Sequence, residues 1–157
     1  MEKAGRTDED IASDVLSTLY HAEKEGHNLD QELQDIVGAY GWTEDIAKAI
    51  LVGLEAALKN GASMGQAMKN AFDRAINAAE EFVEDHPVFC TLVALGILVV
   101  LAPWAIEALG FGELGPIEGS FAAAWQSRYA RYVPKGSLFS FFQQLGMKWP
   151  RTLEEGS

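Results

Sequence analysis

The apolar positions of the first 86 residues recur at three- and four-residue spacing, the signature of helices buried along one side. Ile11, Val15, Leu19 and Ala22 define a first helix near 8–25. It opens on Thr7, whose hydroxyl can cap the chain, with Asp8, Glu9 and Asp10 at the positive end of the dipole, and Gly26 stops it. Leu29, Leu33, Ile36 and Val37 mark a second helix, capped by Asn28 and ending at Gly38 to Gly41. Thr43, Glu44 and Asp45 open a third, with Ile46, Ile50, Leu54 and Leu58 on one face and Asn60-Gly61 as its stop. The fourth is predicted from Ser63, with Gln66 placed for a capping box, through Met68, Ala71, Ala75, Ala79 and Phe82 to His86, because Pro87 disfavours helical geometry before it. Such stripes can pack on one another, so residues 1–86 are expected to fold as a bundle by themselves.

The pattern then changes. Val88 to Ile106 reads VFCTLVALGILVVLAPWAI, nineteen residues without a charge, and the apolar character runs on past Glu107 to Leu109. A helix of about 20 residues spans the roughly 30 Å of a bilayer's hydrocarbon core. Val88, Leu92, Leu95, Ile97, Leu98, Val99, Val100 and Leu101 would form the membrane segment, with Trp104 at the interface. Gly96 and Pro103 weaken a helix in water but are tolerated in membranes. The alternative is a helix apolar all round because other helices enclose it. Glu107 fits an intramembrane carboxylate or, more simply, a side chain that snorkels to the interface or pairs within the C-terminal half.

Beyond the segment, Gly115, Gly119, Ala123 and Ser127 recur at every fourth position. On a helix they would make a ridge of small residues admitting close approach of another backbone, within one protomer or at an oligomer interface. No strand is predicted, so the fold class is all-α: an N-terminal amphipathic bundle, a transmembrane or buried helix, and a Gly-rich helical hairpin. The corresponding regions are 1–86, 87–149 and a tail at 150–157, whose LEEGS ending is expected to be an expression remnant.

Charge sharpens the division. Residues 1–86 carry seven lysines and arginines against eighteen aspartates and glutamates, whereas residues 87–157 carry five of each, so the net charge of −11 resides in the first region. Such a surface repels nucleic-acid phosphates, which argues against nucleic-acid binding, and offers itself to a protein partner. Arg128, Arg131, Lys135, Lys148 and Arg151 follow the apolar segment, favouring a cytoplasmic C-terminal side if it spans. MEKAGRTDED lacks the features of a secretory signal.

The stretches LGFGELGPIEGSFAAAWQS at 109–127 and VPKGSLFSFFQQLGM at 133–147 resemble the interferon-inducible 6-16 family of small membrane proteins, most closely its fungal members. Gly136, Ser137, Leu138, Gln144 and Gly146 match the pattern of a GSL followed by a glutamine and a glycine, and the resemblance covers about 88–149. It implies residence in an intracellular membrane, mitochondrial or endoplasmic reticulum, and involvement in stress, innate immunity or cell death. The charge division, the apolar segment and the small-residue ridge lead to the further expectation of a self-associating protein that contacts membrane lipid and perturbs or permeabilises it; the alternative is a soluble helical module that buries residues 88–109 and inserts only on a trigger. Trp125, Arg128, Arg131 and Lys135 depart from that family's nearly uncharged block, so an interfacial or re-entrant helix is expected at 115–133 in place of a second span.

Chemistry-bearing motifs are scarce. His21, His27 and His86 have no partner at metal-ligand spacing, and Cys90 within the apolar run reads as a small hydrophobe. The acidic pairs Glu80-Glu81 and Glu84-Asp85 lack the spaced oxygens of a calcium loop. There is no nucleophile elbow, phosphate loop or zinc-protease motif, and neither enzymatic activity nor a cofactor is expected.

Overall fold

A computed structural model describes residues 7–38, 41–81, 88–133, 135–147 and 149. Helices dominate: α1 (Asp8–His21), α2 (His27–Val37), α3 (Glu44–Lys59), α4 (Gln66–Glu80), α5 (Phe89–Leu101), α6 (Pro103–Ala108), α7 (Phe121–Arg128) and α8 (Lys135–Gln144). One minimal antiparallel hairpin, β1 (Phe111–Gly112) and β2 (Gly115–Pro116), pairs Phe111 with Pro116 and Gly112 with Gly115.

Where a helix end is set by neighbours in sequence, the pattern locates it. The Thr7 hydroxyl accepts from the Asp10 amide at 3.1 Å while the Asp10 carboxylate accepts from the Thr7 amide at 3.2 Å, a reciprocal cap at the start of α1. Thr43 caps α3 through the Ile46 amide at 3.2 Å, and Asn60 ends it. Ile11, Val15 and Leu19 of α1 and Ile46, Ile50 and Leu54 of α3 are buried, so both apolar faces lie where the periodicity puts them.

Other ends are set by the tertiary fold and differ from the prediction. α1 stops at His21 instead of near 25, because Ala22 turns to an extended backbone and the carbonyls of Tyr20 and Ala22 accept from the Gly65 and Ala67 amides at 2.7 and 3.2 Å. The same two bonds satisfy the start of α4, which begins at Gln66 behind Gly65 and not at Ser63. Gln66 consequently makes no capping box; its amide donates to Asn70 at 2.9 Å. α2 starts one residue before Asn28, behind Gly26, with no side-chain cap. Met68, Ala71, Ala75 and Ala79 face inward as predicted, while Phe82 and the boundary at His86-Pro87 lie outside the described residues.

The run at 88–109 is not one long helix. Ala102 departs from helical geometry at φ −148°, ψ 65°, and Pro103 occupies the first turn of α6. Proline lacks an amide donor and disfavours helix in the residue before it, so the run divides there. The thirteen residues of α5 rise about 20 Å against a hydrocarbon core of roughly 30 Å. Among the described residues no helix is long and apolar enough to cross a membrane.

Instead α5 is the centre of the molecule. It packs most extensively on α4 and also against α3, α6 and α8. Leu92, Val93, Ala94, Leu95, Ile97, Leu98, Val99 and Leu101 are buried in a core that also takes in Val15 and Leu19 of α1, Leu33 of α2 and Phe141 of α8. Regions 1–86 and 87–149 therefore share one core. The inward face of α4 is mostly alanine and has little area to bury unless α5 is against it, so α5 belongs to the core that the first four helices were expected to form by themselves.

An isolated fragment of residues 1–86 is therefore expected to lose the fourth helix: its α4 amides should exchange hydrogen at unfolded rates, and the fragment should show no cooperative melt. A cooperative melt with protected α4 amides would contradict the shared core.

Candidate functional site: the enclosed apolar segment

α5 has no polar face to turn toward water, since its side chains are apolar except Thr91 and Cys90. Its enclosure rests on close approach at one point. A β-carbon at Gly96 would lie 2.8 Å from the Ala75 Cβ, 3.0 Å from the Leu145 Cδ1 and 3.2 Å from the Phe141 Cζ. Gly96 is thus where α4, α5 and the end of α8 converge, and the alanines at 71, 75 and 79 form the smooth surface against which α5 lies.

This is the small-residue contact anticipated for Gly115, Gly119, Ala123 and Ser127, found elsewhere in the chain. Those four residues do not share a helix. Gly115 belongs to β2 at φ +125°, Gly119 lies in the turn before α7 at φ +81°, and only Ala123 and Ser127 are in α7. Backbone at such positive φ cannot continue a right-handed helix. Ile117 instead donates its amide to the Gly110 carbonyl at 2.8 Å, closing the hairpin, and Ser120 caps α7 through the Ala123 amide at 3.2 Å. The hairpin also corrects the expectation of no strand. The alanine spacing in α4 carried the signal for the true contact, because those residues are both small and on the inward stripe.

Polar ties join the acidic helices to the enclosed segment and to α7 and α8 beyond it. The Thr91 hydroxyl at the start of α5 donates to the Glu55 carboxylate of α3. Glu44, at the beginning of α3, accepts from the Phe121 amide at 2.5 Å and so holds the N-terminus of α7, where a negative charge is favoured. Arg74 of α4 donates to the Leu145 carbonyl at 3.2 Å, satisfying the end of α8, and Gln144 donates to Glu81 at 3.3 Å. Trp104, expected at a membrane interface, stacks on Trp42 with ring centroids 5.7 Å apart, and Trp42 donates to Gln34 at 3.1 Å.

The titratable groups of the segment lie at its ends. Burial pushes the Cys90 thiol up, nearby Glu55 adds to this, and Lys59 partly offsets it. The thiol is thereby held in its protonated, weakly nucleophilic form. Glu107 is exposed at the end of α6, and partial desolvation raises its carboxyl above the ordinary glutamate range. Among the described residues no group of three or more His, Cys, Asp or Glu could hold a metal ion.

The enclosed helix, the hairpin and the two closing helices thus form one continuous unit after residue 88. Residues 90–152 match the interferon-induced 6-16 family. The 6-16 match begins at the start of α5 and extends past α8, so it includes every residue tied to the acidic helices by the contacts above, and it leaves α1 to α4 outside. No curated protein and no solved structure matches the chain.

Two glycines separate the contact found from the contact predicted. Gly96→Val should cost about 2–3 kcal/mol by overpacking the α4–α5 contact. Gly119→Leu meets open space and should cost only the left-handed strain of about 1–2 kcal/mol. Denaturant unfolding of both variants checks the order; a larger loss at Gly119 would contradict it.

Proposed function

We propose that this chain holds a 6-16-type apolar segment in reserve: the acidic helices α1 to α4 keep it enclosed, and opening of that sheath releases it to insert into and perturb an intracellular membrane during stress, immunity or cell death. The observation that carries this reading is the burial of Leu92 to Val99 and of Leu101, Ala102, Ala105, Ile106 and Leu109 in a core that α1 to α4, which lie outside the family match, share. An apolar run of this length inside a polar sheath is chemically suited to either environment. The division of charge adds to it, since an acidic sheath is repelled by anionic headgroups while closed and presents a surface that a protein partner could grip to open it.

Release would rest on the polar ties, which join the sheath to the segment at Thr91 and to α7 and α8 beyond it without a covalent bond. Once α4 is displaced, Gly96 would let two copies of α5 approach closely, the kind of contact that drives helix pairing in lipid. That supplies self-association from a residue which in the closed form packs on Ala75.

The test compares the parent with Arg74→Met, which removes the donor to Leu145 and loosens α8 from α4. Phosphatidylcholine vesicles loaded with dye are incubated with each protein, then extracted with carbonate and sedimented. The parent should release little dye and stay in the supernatant, whereas Arg74→Met should pellet and release several-fold more. Carbonate-resistant pelleting of the parent would favour a permanently embedded protein. An Arg74→Met variant that opens by hydrogen exchange yet ignores the vesicles would remove the membrane reading altogether.

A further inference from the structure

Leu114 and Ile117 are large apolar side chains left in water, Leu114 fully and Ile117 57% exposed. Both belong to the hairpin. The pairing of Phe111 with Pro116 and of Gly112 with Gly115 leaves Glu113-Leu114 as its two-residue connection. Such connections ordinarily carry glycine or polar residues, and the left-handed backbone here falls to Gly115 at φ +125°, so nothing in the turn calls for a leucine at its tip. Beside the tip lies a cavity of about 310 Å³, lined by Phe111 and Pro116 of the hairpin and by Gly136, Leu138, Phe139 and Phe142 of α8. Leu114 stands at its rim without filling it, since the side chain is fully exposed.

We propose that this face is a self-complementary interface between two copies of the chain, in which Leu114 of each copy seats in the cavity between the hairpin and α8 of the other. A knob and a hole on one face meet the requirement of a two-fold axis, that each copy gives and receives the same contact. Charge selects the place. Residues 1–86 carry the whole net charge of −11, so two copies repel wherever those helices meet; every residue lining the cavity lies within 87–157, which carries no net charge. Glu113, next to the knob, reaches the first turn of α8 in the other copy, where Gly136 and Leu138 line the cavity and the helix end favours a negative charge. The contact is made by the closed chain in water, so it is separate from pairing at Gly96 in lipid and from whether the enclosed segment is ever released.

Sedimentation equilibrium of the full chain without lipid tests the assignment. The parent should show a monomer–dimer equilibrium with a dissociation constant of roughly 10–100 μM, as suits a small, transient interface. Leu114→Ser, at an exposed tip, should keep the fold and weaken the dimer about a hundredfold, because two seated leucines are lost at about tenfold each. Gly136→Leu acts from the other side: a β-carbon there meets nothing within 4 Å, so the chain folds while the new side chain obstructs the cavity, and it too should be monomeric. Mixing the two variants should restore association to about a tenth of the parent's strength, since the intact leucine of one then meets the open cavity of the other. A parent that stays monomeric up to about 1 mM, or a Leu114→Ser variant that dimerises like the parent, would overturn the interface. So would a mixture that associates no better than either variant alone. A monomeric parent that floats with phosphatidylcholine vesicles only while Leu114 is present would give the hairpin to a lipid surface instead.

Discussion

An α-helix without a polar face must be surrounded, and the fold follows from how α5 meets that requirement. Leu92 to Leu101 present apolar side chains in every direction, so burial on one side would leave the others in water. The chain surrounds α5 with α3, α4, α6 and α8. Close packing against α4 is permitted by Gly96 on one helix and Ala75 on the other, where dispersion contacts form at short range and larger side chains would hold the helices apart. The break at Ala102-Pro103 then turns the chain so that α6 lies back against both α3 and α5.

The remaining elements complete that enclosure. Phe111 of the small hairpin packs edge-on to Trp125 and Phe142, with centroids 6.0 and 5.3 Å apart, linking α7 to α8. Gln126, buried in α7, donates to the Val133 carbonyl and holds the chain before α8. These aromatic and amide contacts hold the hairpin, α7 and α8 together, and α8 reaches α5 through Phe141, which lies with Leu145 at Gly96. The segment matched to the 6-16 family thus supplies both the helix that must be covered and part of its cover, while the rest of the cover comes from outside the match.

The sequence disclosed what is local. Thr7 and Thr43 mark their helices because a hydroxyl cap acts over three residues, and the stripes of α1 and α3 are simple periodicities. It concealed what is remote. The ends of α1 and α4 are fixed by each other's backbone, Glu44 meets Phe121 across 77 residues, and Arg74 meets Leu145 across 71. Length and hydropathy could not distinguish a bilayer from a protein sheath around 88–109, because both environments select the same side chains; Pro103 favours the shorter helices found. The four-residue spacing from Gly115 to Ser127 misled because glycine serves equally in a helix ridge and in left-handed turns, and at Gly115 and Gly119 it serves the turns.

The most direct measurement of the enclosure is nuclear Overhauser contact at Gly96, recorded on the full chain both without lipid and in phosphatidylcholine nanodiscs. A closed sheath places the Ala75 methyl and the Leu145 methyls within a few ångströms of Gly96, so cross-peaks among the three should be strong and unchanged when nanodiscs are added to the resting protein. Absence of those cross-peaks, with contacts from Gly96 and Leu95 to lipid acyl protons in their place, would show that the helix rests in the bilayer and that the acidic helices do not enclose it.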